Sequence, residues 1–197
     1  MPTPITDTAA QEEASIRALL QMASPLAGAG LVAFAAQVSV PIGDYGVPFT
    51  FGDLAVIVVA YGLGPKRGLL GIAIYLVAGA IGIPVYAGGG NGLAHLFGVT
   101  SGYLLGYLAC QPVVGRIIRR RDGSLRGWLA TILAFLAAQS IIYALGVTLM
   151  WLIKDGATLR GSIWNGMVIF LPFVPVKGAI AILIARMAAP WAMRNIW

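Results

Sequence analysis

Lys177 is the one charged residue between Ile163 and Ala185, in a stretch that otherwise reads as membrane. An ammonium at bilayer depth costs about 3 kcal/mol on insertion scales, so such residues turn toward a polar cavity or a partner. Pro172-Phe173-Val174-Pro175 lies just before it. Each proline lacks an N–H, which loosens the helix and frees backbone groups to line a cavity. A buried cation beside irregular helix is what capture of an anionic ligand requires. A lysine snorkelling to an interface is the simpler reading, and the long apolar flanks on both sides argue against it.

Other residues could complete such a site. Asp53 is a second intramembrane charge and a potential partner for Lys177, which would make the lysine structural. The run Gly88-Gly89-Gly90-Asn91-Gly92 permits positive φ and lets backbone approach a ligand closely. Asn91 offers a donor and an acceptor, suited to an amide- or urea-like group. Asn-Gly is also a common turn pair, and pattern alone favours the plain turn. Phe49, Tyr86, Tyr143 and Trp164 could wall an apolar pocket or act as interfacial anchors, the second being the better reading of Trp164. Gln139 needs a hydrogen-bond partner inside its span. His95 reads as packed or hydrogen-bonded rather than ligating.

These residues must be positioned by membrane helices. The 197-residue chain is 59% hydrophobic and 10% charged, with a mean hydropathy of +0.87. Soluble domains carry about 25% charged residues. One cysteine, Cys110, allows no disulfide within the chain, and one histidine leaves metal-dependent hydrolysis little to stand on. The sequence GLGPKRG lacks the Lys-Ser/Thr ending of a phosphate-binding loop, so ATP hydrolysis is not expected of this chain. The polar, mixed-charge first twenty residues do not read as a signal peptide. Hydropathy predicts an all-α membrane protein of six transmembrane helices in a single bundle, at roughly 24–42, 50–64, 68–86, 93–118, 127–153 and 162–189. Residues 1–22 form a cytoplasmic N-terminal segment with a surface helix over 8–20, residues 23–190 the substrate-binding membrane domain, and 191–197 a cytoplasmic tail.

The basic residues set the orientation. Arg17, Lys66, Arg67, Arg116, Arg119, Arg120, Arg121, Arg126, Arg186 and Arg194 fall on one side, against Lys154 and Arg160 on the other. That asymmetry places both termini in the cytoplasm and explains the net charge of +6 without nucleic acid. In the first span Ala29 and Ala33 form a small-residue stripe with Gly28, Gly30, Ala35 and Ala36. Such a stripe serves packing within the bundle or contact with another chain.

Several motifs, taken in order, resemble the BioY biotin transporter family: AAQVSVPI at 35–42, VPFTFGDLAV at 47–56, GPKRG at 64–68, GAIGIPVYAGGG at 79–90, GVTSGYLLGY at 98–107 and FLP at 170–172. The resemblance implies an S component of an energy-coupling factor (ECF) transporter of the cytoplasmic membrane, which captures biotin from outside and holds no cofactor. Its implied partners are a transmembrane coupling protein, meeting Ala29 and Ala33, and two ABC-type ATPases. It further implies that Lys177 pairs with the ligand carboxylate and Asn91 with the ureido ring, beside Gly89 and Gly90, with Phe49, Tyr86 and Tyr143 enclosing the apolar remainder. The family pattern places an aspartate three residues before the lysine, where this chain has Val174. Asp53 is the candidate to supply that carboxylate. An S component for another vitamin or small carboxylate, a solitary carrier and a membrane enzyme are the alternatives, the last unsupported by any clustered catalytic set.

Overall fold

The computed structural model describes residues 4–120 and 124–196, with side chains from residue 10 onward. Arg121, counted in the charge asymmetry, lies outside the described residues. Seven α-helices follow one another: α1 (Pro4–Gln37), α2 (Gly52–Ala80), α3 (Gly92–Leu96), α4 (Ser101–Ile118), α5 (Trp128–Ile153), α6 (Leu159–Gly166) and α7 (Val174–Asn195). A two-stranded antiparallel hairpin, β1 (Ser39–Pro41) and β2 (Pro48–Thr50), joins α1 to α2 with Val40 opposite Phe49. Four segments are long and apolar enough to cross a membrane: Ala10–Gln37, Gly52–Ala80, Trp128–Ile153 and Leu159–Asn195.

Helix α2 carries two of the expected spans. Its backbone leaves the helical conformation at Gly64, which takes φ 78° ahead of Pro65. A Cβ on Gly68 would lie 3.6 Å from Ala60 Cα. On a straight helix eight residues cover about 12 Å, so the chain doubles back at Gly64-Pro65 into two packed arms. The Arg119 guanidinium covers the bend, occupying the space a Gly64 side chain would need and donating to Tyr61 O at 3.2 Å. Helix α4, 18 residues long, buries the polar Ser101 and Gln111. Gln111 Nε2 donates to the carbonyls of Val56 and Tyr107, each at 3.2 Å.

Glycine governs the closest contacts. Gly102 and Gly106 of α4 lie directly against the backbone of α5 at Leu145 and Ile142, positions where a Cβ would collide. Tyr61, Tyr75 and Tyr86 are among the largest fully buried side chains. Tyr61 directs its hydroxyl to Thr131 O, tying α2 to α5.

Three expectations are corrected. The surface helix and first span are one continuous α1, which ends at Gln37 rather than at 42 because the chain turns into β1. The last span is broken: α6 stops at Gly166, a 3₁₀ segment covers Val168–Phe173, and α7 restarts at Val174 and runs on to Asn195. Pro172 and Pro175 account for that break, since neither can donate to a continuing ladder. Ala29 and Ala33 turn inward: Ala29 is 6% exposed in the core and Ala33 packs against it. The stripe is a packing surface of this bundle. The outward face of α1 carries Met22, Leu26 and Phe34 together with the small Ala23, Ala27 and Gly30.

Gly64→Ala forces a side chain into the left-handed region and against Arg119. A cost of about 1–2 kcal/mol lowers the melting temperature by about 3–6 °C. Thermal unfolding of the detergent-solubilised protein measures this, and an unchanged midpoint refutes the hairpin bend.

Candidate ligand-binding site

Lys177 occupies the first turn of α7, where the helix dipole is positive. A cation there, inside an apolar bundle, is stable only with an anion facing it. Asp53 meets that need from the first turn of α2: its Oδ1 lies 2.5 Å from Lys177 Nζ. Both side chains are close to fully buried, at 10% and 13% exposure. The contact is one of charge rather than an aligned hydrogen bond, because Oδ1 has no suitably angled donor among the described residues. The ammonium makes a better-directed bond to Thr50 O at 2.7 Å and sits 4.5 Å from the centroid of the Phe49 ring.

The corner between β2 and α2 thus supplies all three of these contacts to the lysine. Its geometry is local in origin. Thr50 Oγ1 accepts from the Gly52 N–H at 3.2 Å as the strand gives way to helix. The lack of a side chain at Gly52 leaves room for the Tyr107 hydroxyl, whose oxygen would be 3.3 Å from a Cβ there. Phe49 packs on Phe173 with ring centroids 4.9 Å apart, joining the hairpin to the 3₁₀ segment before α7.

Lys177, Asp53, Phe49 and Tyr143 line one cavity of about 70 Å³, closed in by Tyr75, Tyr103, Tyr107, His95 and Phe170. Its floor is charged and its walls are aromatic. Tyr103 is fixed by donation to Gly166 O at 2.7 Å. His95, on the short helix α3, stacks on Tyr86 at 5.1 Å between centroids. Burial lowers the imidazole's pKa below the usual histidine range, which favours the neutral form. Lys177 is therefore the cation of this cavity.

The hairpin spans the mouth, and its tip is clasped from the far side. The Asp44 N–H donates to Asn165 Oδ1 at 3.0 Å, while Asn165 Nδ2 donates to Gly161 O at 3.0 Å. Lys154 sits 5.2 Å from the centroid of the Tyr45 ring.

A family model described as the BioY family matches residues 8–194. The chain belongs to the BioY family. It is 35% identical over 168 residues to the biotin transporter BioY of Rhodobacter capsulatus, an alignment covering 82% of this chain and 88% of that one. It is 38% identical over 156 residues to the biotin transporter BioY of Thermotoga maritima, covering 79% and 87% respectively. Its fold is similar to that of a crystal structure of the S-component for biotin from an ECF-type ABC transporter. That match has a TM-score of 0.77 at 21% identity and covers 86% of this chain and 90% of that one.

In this BioY family member the remaining expected site residues stand apart from the cavity. Tyr86 is wholly buried behind it, with its hydroxyl donating to Leu76 O at 2.5 Å and its ring under Gly79. Gly89 belongs to a 3₁₀ turn over Ala87–Gly89, and Gly90 lies against the His95 ring. Asn91 is exposed, with its amide 3.4 Å from Gly89 O. Glycines here let the turn close tightly over His95, and the turn reaches the cavity through Ala87. Val174 lines a separate lateral groove with Gln139 and Tyr143. Tyr75, Tyr103 and Tyr107 were not foreseen. The one signal available was the four-residue spacing of Tyr103 and Tyr107, which puts both on one face of α4.

Asn165→Ala leaves the Asp44 N–H without its acceptor. Loss of about 1 kcal/mol speeds hydrogen exchange across 39–50 by about fivefold or more while α5 is unaffected; equal exchange rates contradict the clasp.

Proposed function

We propose that this chain is the substrate-binding S component of an ECF-type vitamin transporter, and that it captures biotin from outside and delivers it to the cytoplasm. The observation that carries the reading is Lys177: a buried ammonium on the floor of an aromatic cavity, in a chain whose family relatives are biotin transporters. The Lys177 ammonium takes the valerate carboxylate. Phe49 and Tyr143 enclose the apolar part of the ligand. Asp53, the lysine's own counter-ion within the chain, lies at the carboxylate end of that cavity. The outer turn bearing Gly89, Gly90 and Asn91, backed by Tyr86, acts as a cap, and Asn91 meets the ligand only if that cap moves.

The transmembrane arrangement belongs to the same proposal. Helix α1, the two arms of α2, α4, α5 and the broken α6–α7 segment make six passes. Lysine and arginine asymmetry then puts both termini, the Gly64 bend and the segment after α4 in the cytoplasm, with the hairpin and α3 outside. This is a transport protein and not an enzyme. Movement of the bound vitamin across the cytoplasmic membrane is driven by a transmembrane coupling protein and ABC-type ATPases, since this chain holds no phosphate-binding loop. With Ala29 and Ala33 turned inward, the coupling protein meets a different surface of the bundle.

Purified protein titrated with biotin, thiamine and riboflavin should bind biotin alone. Losing a desolvated charge contact while its partner stays buried costs about 2–5 kcal/mol. Lys177→Ala, confirmed folded, should therefore weaken biotin binding well over tenfold, whereas Asn91→Ala should change it by less than about threefold. Undiminished affinity in Lys177→Ala removes the lysine from the site and the reading with it.

A further inference from the structure

The cavity as it stands is occupied by the protein's own anion. Asp53 lies in the first turn of α2 and faces Lys177 in the first turn of α7. Two helix N-termini and an ammonium therefore converge on one carboxylate, the arrangement that generally stabilises a bound anion. The space beside it, about 70 Å³, is well short of the roughly 300 Å³ at which small-molecule sites begin. A carboxylate ligand thus meets both a shortage of room and a cation already neutralised.

We propose that Asp53 is a built-in stand-in for the ligand's carboxylate, and that binding proceeds by exchange: the incoming carboxylate takes Lys177, and Asp53 swings away and opens the cavity. This rests on the reading of Lys177 as the carboxylate partner given above.

Three features fit exchange better than a permanent structural pair. Asp53 Oδ1 meets the ammonium through charge alone, with no aligned hydrogen bond, and a ligand carboxylate supplies the same charge. Lys177 is held independently, by Thr50 O and the Phe49 face, and stays in position when Asp53 leaves. Asp53 also has somewhere to go, because Tyr107 and Tyr143 line the same cavity within its electrostatic reach and carry hydroxyls able to donate to it. Exchange makes the site selective. An incoming carboxylate keeps the ammonium paired while the Tyr107 and Tyr143 hydroxyls take the displaced Asp53, whereas displacement of Asp53 by an uncharged analogue would strand the ammonium in an apolar bundle. The protein thereby discriminates acids from amides and esters before any contact with the rest of the molecule is counted.

Asp53→Ala, purified in acetate so that a free carboxylate replaces the lost counter-ion, tests the exchange. Biotin affinity is measured along a falling acetate series and extrapolated to zero acetate where the variant needs the ion to stay folded. The expected result is an affinity at least tenfold above the native protein, declining as acetate rises, while the native protein is indifferent to acetate over the same range. Biotinamide, which lacks the anion, should gain nothing from the substitution. A variant that binds biotin no more tightly than the native protein, with no response to acetate, overturns the exchange. If Lys177→Ala nevertheless abolishes binding, the assignment of Lys177 survives and the exchange alone is rejected. Normal binding by Lys177→Ala rejects both.

Discussion

A buried ammonium must face an anion, and this requirement organises the end of the bundle that holds the cavity. Lys177 stands at the positive end of α7, where its own helix disfavours it, so α2 has to present a carboxylate at the same depth. That fixes where α2 begins, which fixes the β2–α2 corner, which in turn places Thr50 O and the Phe49 ring on the ammonium. The break at 166–174 belongs to the same constraint. An unbroken last helix would carry Lys177 in mid-span, far from any helix terminus, instead of presenting it beside the start of α2.

Around that pair the bundle combines tight and yielding parts. Helices α4 and α5 meet through Gly102 and Gly106 with backbone nearly touching backbone, and the two arms of α2 are pinned by Arg119 at Gly64. The hairpin over the cavity is held differently, by side-chain contacts at Asn165, Lys154 and Lys177 and by the tilted Phe49–Phe173 ring pair. A firm scaffold beneath a lightly fastened cover suits a protein that must admit a ligand from one side.

Much of this was legible in the sequence, for identifiable reasons. Lys177 and Asp53 stand out because charge is rare in an apolar chain, and Gly64-Pro65 announces a bend because no other pair is so poor at continuing a helix. The inward turn of Ala29 and Ala33 was not legible. In a soluble protein, polarity distinguishes the buried face of a helix from the exposed one, but lipid is as apolar as the bundle interior. The same loss of contrast hid Tyr75, Tyr103 and Tyr107 among other apolar residues. Asn91 and its glycines drew attention through their chemistry, and the structure instead sets them in a turn folded over His95. Their spacing specified a tight turn without saying which way its side chains point.

The most direct measurement is a structure of the protein with biotin bound, solved by crystallography or electron microscopy. The account predicts the valerate carboxylate within hydrogen-bonding distance of Lys177 Nζ, Asp53 withdrawn toward the Tyr107 and Tyr143 hydroxyls, and a cavity enlarged beneath the β1–β2 hairpin. A biotin molecule seated elsewhere, with the Lys177–Asp53 pair intact, would contradict it.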